Sequence, residues 1–399
     1  MKYDPHGYAK QLERNKELVR KDNRVSKRNK NFLFDFIDDR IASGIGVARI
    51  SRCISCLRQL CVHLKKDLDK ADIKDMKRVI TIIETNPRYA HWTKFTHKVI
   101  IKQFYSWLRE CKPKHYPPEV DWIKLQVKNK TRLPQDMLTE EDVKKLIDNS
   151  NRIMTKALIA VLYESGCRIG EILSLQVKNI SSDRYGAILM VDGKTGQRRV
   201  RIIASWIFLK RWINDHPNKD DPEAPIWINY LNTQLSHSYT LRLIKNAKNK
   251  AGIKKRCNPH TFRHSRATFM ANHLTEAQMK EYFGWTQGSR MASVYVHISG
   301  RDVDKALLRI HGINIDKKDK KESVFIPKKC SNCDQPNAPV NKYCQCCGLV
   351  LDSTERVKII KYETQRKTAD EAMDRLMGNP EFKQKFMEMV TTFSRGGFS

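Results

Sequence analysis

Apolar residues recur at helical spacing along most of this chain. Phe32, Leu33, Phe36, Ile37 and Ile41 step by three or four positions and stop at Ser43-Gly44, and Ile50, Ile54, Leu57, Leu60, Cys61 and Leu64 repeat the stripe. Met76, Val79, Ile80 and Ile83 form a third run closed by Asn86-Pro87. A fourth, from Phe95 to Leu108, carries Val99, Ile100, Phe104, Tyr105 and Trp107. Helices of this kind joined by short turns predict a small all-α bundle over residues 31–112. Residues 1–30 are polar and densely charged and read as a mobile or partly helical arm. Pro113, Pro117 and Pro118, followed by the basic run from Lys124 to Pro134, mark a linker over 113–134.

Past the linker the pattern mixes two periods. Thr139-Glu-Glu-Asp142 opens a helix with acid in its first turn, and the apolar run Ala157–Tyr163 predicts a core helix ending at Ser165-Gly166. Residues 186–191 and 198–203 read as strands around the turn Asp192-Gly193-Lys194-Thr195-Gly196. Residues 206–216 and 238–250 return to helix. Asn258 and Pro259 then give an N-cap and a first-turn proline, Thr275 to Gly284 gives a second short helix, and 302–310 a closing one. The expected fold class is mainly α, with an α+β domain over 135–312 holding one small antiparallel sheet. Residues 354–399 read as one or two further amphipathic helices, with Leu376, Phe382, Phe386 and Val390, broken at Gly378-Asn379-Pro380.

Charge adds the partner. The 399 residues carry 75 Lys+Arg against 44 Asp+Glu. Residues 1–130 hold 30 basic and 15 acidic side chains, 131–312 hold 29 and 17, and 313–399 only 16 and 12. The excess is thus spread over folded sequence rather than gathered in a tail, which points to a polyanion such as double-stranded DNA. No stretch reaches the roughly 18 apolar residues of a membrane span, and Met1-Lys-Tyr-Asp-Pro begins no signal peptide. Eleven cysteines, an odd number, fit a reducing compartment with metal rather than disulfides, so a cytoplasmic, DNA-associated protein is expected. Cys53-x-x-Cys56 and Cys61 fall inside a helical stripe and read as small helix residues.

The candidate chemistry is scattered in sequence. Arg168 stands near a helix start, where backbone N–H groups favour an anion, with Glu171 three positions on to brace it. Lys194 sits at the tip of the predicted hairpin. His260 and Arg263 share a helix face, and Trp285 and Tyr295 follow, while His264, next to Arg263, lies roughly 100° around the helix and reads as structural. In this order Arg168, Lys194, His260, Arg263, Trp285 and Tyr295 resemble the signature of the tyrosine recombinases, the phage-integrase family of site-specific recombinases. The ten-position step from Trp285 to Tyr295, and the wording Trp-Thr-Gln-Gly-Ser-Arg-Met, resemble the archaeal-type branch.

The resemblance implies a core-binding bundle followed by a catalytic domain, with Tyr295 as nucleophile in DNA cutting and rejoining. It further implies a 3′-phosphotyrosyl intermediate, no ATP or catalytic metal, and a dimer per site with a tetramer in synapsis. Lys194 would protonate the departing 5′-oxygen. Two other readings stay open: a DNA-binding protein that kept the fold without its chemistry, and a type IB topoisomerase. Separately, Cys330-x-x-Cys333 and Cys344-x-x-Cys347 have the spacing of a zinc ribbon over 327–352, with a structural zinc ion and Cys346 as a misregistered non-ligand.

Overall fold

The computed structural model describes residues 4–126, 136–193, 195–298, 311, 328–337, 341–344 and 346–395. Two compact units emerge. One comprises Met1–Asp136 with Thr233–Thr240, the other Met137–Asn232 with Leu241–Ser399. The fold is mainly α with small antiparallel sheets. Among the described residues no helix is long and apolar enough to cross a membrane.

The first unit is built on α1 (Tyr8–Lys21), α2 (Lys27–Ala42), α3 (Val47–Leu64), α4 (Ile73–Thr85) and α5 (His91–Leu108), with a one-turn α6 (Pro118–Asp121) inside the expected linker. The expected charged arm is here a helix: α1 buries Leu12 and Val19, seven positions apart, in the same core as α3. Two buried residues in fourteen are too sparse to stand out as a stripe, yet one every two turns suffices to dock a helix along one edge. Asp22, buried at its end, accepts from Arg24 Nε at 2.9 Å and Arg58 at 2.5 Å, so the charge is paired where it is desolvated. The three cysteines of α3 are core residues, and burial pushes the Cys56 and Cys61 thiols up to about 12.

His97 lies in this core, stacked on Tyr89 with ring centroids 5.2 Å apart. Burial first, then the charges of Arg52 and His63, lower its pKa from 6.5 to about 4. The unfolded chain therefore binds this proton more readily than the folded one. Stability from His97 is complete above pH 6.5 and is lost as pH falls toward 4. Thermal melts at pH 7.5 and 4.5 should show a smaller acid loss in His97→Phe than in the unmodified chain.

In the second unit α7 (Glu140–Asp148) starts with a reciprocal Thr139–Asp142 capping box, and α8 (Ile153–Ser165) is buried on nearly every side. Gly166 ends α8 with φ of 57°, and α9 (Ile169–Leu173) follows at once. Strands β1 (Ile180–Asp183), β2 (Gly186–Gly193) and β3 (Gly196–Ile202) pair antiparallel in that order, with Leu189 opposite Val200 and Val191 opposite Arg198. The short β1 carries no alternation of its own, which is why the apolar pattern shows only its two partners. Buried Glu164 accepts the backbone N–H groups of Ile203, Ala204 and Ser205, fixing the start of α10 (Trp206–Asn214). Then come α11 (His237–Lys250, in this unit from Leu241 on), α12 (Pro259–Met270), α13 (Glu276–Phe283) and α14 (Met291–Ile298). The closing helix expected over 302–310 lies outside the described residues.

Beyond it, β4 (Lys328–Lys329) and β5 (Pro336–Asn337) pair antiparallel, and Tyr343 bridges Val350. The long helices α15 (Ser353–Met377) and α16 (Pro380–Arg395) break at Gly378-Asn379 as the sequence pattern indicates. No residue of α15 is buried.

Candidate active site

Arg168 is the N-cap of α9, and the local fold spends Glu171 on it twice. Glu171 Oε2 accepts the Arg168 backbone N–H at 2.8 Å, while Oε1 accepts from the Arg168 guanidinium at 2.9 Å. A third of the Arg168 side chain stays exposed, whereas Glu171 is 2% exposed. Burial alone would raise the Glu171 pKa; the hydrogen bonds and charge of Arg198, then of Arg168, outweigh it and hold the carboxyl below its ordinary range. β2 passes directly over this carboxylate. A Cβ on Gly193 would lie 3.1 Å from Glu171 Cδ and overlap Oε1, a group two guanidiniums prevent from retreating. Gly193→Ala should therefore cost about 1–3 kcal/mol and loosen Arg168, readable as a lower melting temperature and weaker phosphate binding.

Asn258 caps α12 by accepting Thr261 N–H at 2.8 Å, and Pro259 fills the first helical position. The helix thus presents His260, exposed at its start, and buried Arg263 one turn on. Arg263 donates to Gly166 O at 2.9 Å and Phe283 O at 2.7 Å, joining the end of α8 to the end of α13. Desolvation, then repulsion from Arg168, brings its pKa down to about 10, still charged at neutral pH. Its guanidinium lies 5.5 Å from the Trp285 ring centre.

The α13 terminus gathers donors. Thr275 and Gln278 cap its start, and Gly284, with φ of 60°, stops it. Arg198 Nε donates to Tyr282 O at 3.1 Å, Arg263 to Phe283 O, and both Arg168 (3.2 Å) and Thr195 Oγ1 (3.1 Å) to Gly284 O. The carbonyl end of a helix carries partial negative charge, so it holds three cations together.

Trp285 stacks on Phe283 with centroids 4.9 Å apart and, on Tyr295, at 5.6 Å with planes 1° from parallel. Tyr295 is 4% exposed, in a cluster with Ala267, Ala271, Met279 and Ala292, and its hydroxyl is hydrogen-bonded to His264 Nδ1. Of the six sequence candidates, Arg168, Arg263, Trp285 and Tyr295 form one continuous network. His260 lies on the same helix as Arg263, and Lys194 lies outside the described residues. Two participants were not singled out as candidates: Arg198, and His264, read as structural but in contact with the phenol. Strand alternation could have marked Arg198, since it shares a face with the buried Val200 and Ile202.

In the tail, the Sγ atoms of Cys330, Cys333, Cys344 and Cys347 all lie within 4.8 Å of one another. The pairs Cys330–Cys347 and Cys333–Cys344 are 3.5 and 3.6 Å apart. A tetrahedron of thiolates around zinc, with bonds of about 2.3 Å, has edges of about 3.8 Å, so the donor set fits. Asn337 Nδ2 and Asn332 N–H donate to two of the sulfurs, and Cys346 stands outside the group, exposed.

Part of this chain is similar to known proteins. The phage integrase family matches residues 136–301. The tyrosine recombinase XerH of Campylobacter jejuni is 26% identical over 158 residues, 38% of this chain and 44% of that one. The tyrosine recombinase XerA of Pyrococcus furiosus is 28% identical over 178 residues, 43% and 60% of the two chains. The chain thus spans 44–60% of the length of these relatives. Among solved structures, a lambda integrase dimer bound to a COC′ core site is similar in fold, with TM-score 0.55 at 16% identity over 68% of this chain and 78% of that one.

Proposed function

We propose that this chain, whose residues 136–301 match the phage integrase family and are similar to tyrosine recombinases, is a site-specific DNA recombinase acting through a 3′-phosphotyrosyl intermediate. The observation that carries it is the network itself: two arginines from α9's start and α12, drawn to the α13 terminus, with Trp285 on one side and a tyrosine stacked against it. Phosphoryl transfer asks chiefly for positioned cations at the non-bridging oxygens. Arg168 and Arg263 can each donate two parallel hydrogen bonds to a phosphate. Tyr295 Oη attacks phosphorus and the bond to the 5′-oxygen breaks. The phenolic proton passes to His260, and Lys194 protonates the leaving oxygen. A 5′-hydroxyl of a second strand then attacks the phosphotyrosyl bond and releases Tyr295. Each step exchanges one phosphodiester for another, so neither ATP nor a catalytic metal is needed.

The DNA partner is supported by the net charge of +31, and the assembly would be a dimer per site and a tetramer in synapsis. The finer reading is an archaeal-type, DNA-associated cytoplasmic enzyme with a core-binding bundle and a zinc ribbon whose zinc, held by Cys330, Cys333, Cys344 and Cys347, is structural. Burial of the phenol favours one second reading, a DNA-binding protein that does not cleave. Incubating the full chain with circular duplexes that carry the DNA flanking its own gene discriminates the two. A detergent-resistant adduct joined through a 3′-phosphotyrosine is expected; binding without any adduct would sink the recombinase reading.

A further inference from the structure

All three nitrogens of Arg198 donate inward. One nitrogen donates to Glu171 Oε1 at 2.8 Å and the other to Oε2 at 2.7 Å, the latter also reaching Cys167 Sγ at 3.5 Å, while Nε holds Tyr282 O at 3.1 Å. Its side chain is 11% exposed, against 33% for Arg168. It is therefore badly placed to touch a substrate and well placed to set the group that does. Glu171 accepts four hydrogen bonds, two from Arg198 and two from Arg168. A carboxylate with one cation could swing; a planar fork on its far side fixes both oxygens and leaves Arg168 one orientation. The α13 terminus is fitted to this side chain as well, since a Cβ on Gly284 would stand 2.8 Å from an Arg198 nitrogen.

The geometry points to Arg198 as a positioning residue for oxyanion binding: it clamps Glu171 and thereby aims Arg168, tying the β2–β3 hairpin to the segment that leads into Trp285. The assignment builds on the reading of Arg168 as a phosphate ligand. A misaimed ligand of this sort costs about 100-fold in rate. On a duplex that yields adducts, Arg198→Gln should slow adduct formation about 100-fold at saturating DNA while half-saturation moves less than about threefold. Arg198→Lys, which restores charge but not the fork, should recover part of the rate.

A pH profile separates aiming from mere stability. Glu171 faces Arg168, Arg198, Arg263 and the buried Cys167 thiol. Without Arg198 its carboxyl takes up a proton more readily, so the Gln variant should lose rate toward acid where the unmodified chain stays level. A variant as fast as the unmodified chain overturns the assignment. So does a loss that follows the melting temperature, is the same at every pH and is not relieved by lysine.

Equilibrium dialysis with inorganic phosphate tests the same grip on the full chain without DNA, and Arg198→Gln should weaken it at least tenfold. If the unmodified chain forms no adduct yet phosphate binding still depends on Arg198, the recombinase reading fails and the positioning role stands. If phosphate binds both chains alike, the positioning role fails even where adducts form.

Discussion

Tyr295→Phe should abolish the covalent DNA adduct to the limit of detection while DNA affinity changes by less than about twofold, because the substitution removes the one atom that can bond to phosphorus. The ring remains. Its stack on Trp285 and its packing against Ala267, Ala271 and Met279 do not involve the hydroxyl, and the lost hydrogen bond to His264 is worth about 1 kcal/mol. A variant that folds, melts within a few degrees of the unmodified chain and binds DNA but never cross-links would isolate the chemistry from the fold. If Tyr295→Phe still cross-linked, the nucleophile would have to be sought elsewhere.

The buried phenol shapes what precedes the chemistry. In the proposed mechanism, its hydroxyl leaves His264 before it meets a phosphate held by Arg168 and Arg263. Among the described side chains of α14, Ala292 and Tyr295 are buried, while Met291 and Val294 are each at least 40% exposed. The stacking partner then matters twice, since Trp285 both lies beside the Arg263 guanidinium and covers the tyrosine ring.

What the sequence discloses about this site follows from how local each contact is. Arg168 with Glu171, and His260 with Arg263, are i,i+3 pairs on helices opened by recognisable caps, so spacing alone puts each pair on one face. The helical stripes of the first unit are visible for the same reason, and α1, expected only within a mobile or partly helical arm, gives no sign of its packing because fourteen residues offer only Leu12 and Val19 to the core. Arg198 hides among Arg199 and Arg201. Only the alternation with Val200 and Ile202 shows which of the three turns inward, and Arg201 instead reaches Asp183 at 2.8 Å. His264 lies about 100° from Arg263 around α12, a direction that becomes important only because α14, a separate segment, returns along that side. Contacts made between segments far apart in the chain leave no period to read.

The largest effect outside the candidate active site should come from removing the zinc proposed for the four-cysteine cluster. Residues 328–352 contain two-residue strands, one isolated bridge and, apart from Cys330, Asn337 and Cys344, no buried side chain among the described residues. Such a module has too little apolar surface to fold on hydrophobic burial. Each Cys-x-x-Cys knuckle instead turns on a residue with positive φ, Asp334 at 56° and Gly348 at 75°. That geometry brings four sulfurs together and makes sense only if something holds them. Structural zinc supplies about 10–16 kcal/mol of apparent binding energy in small fingers. The purified chain should therefore carry one zinc per molecule, and Cys344→Ser should lose it. Protease should then cut within 328–352 while α7 to α14 stay protected and the melting of the other helices is unchanged. Cys346→Ser is the matched control: its sulfur stands outside the cluster, so metal content and protease resistance should remain those of the unmodified chain. Loss of zinc in that variant instead would mean that the second knuckle is read one register out.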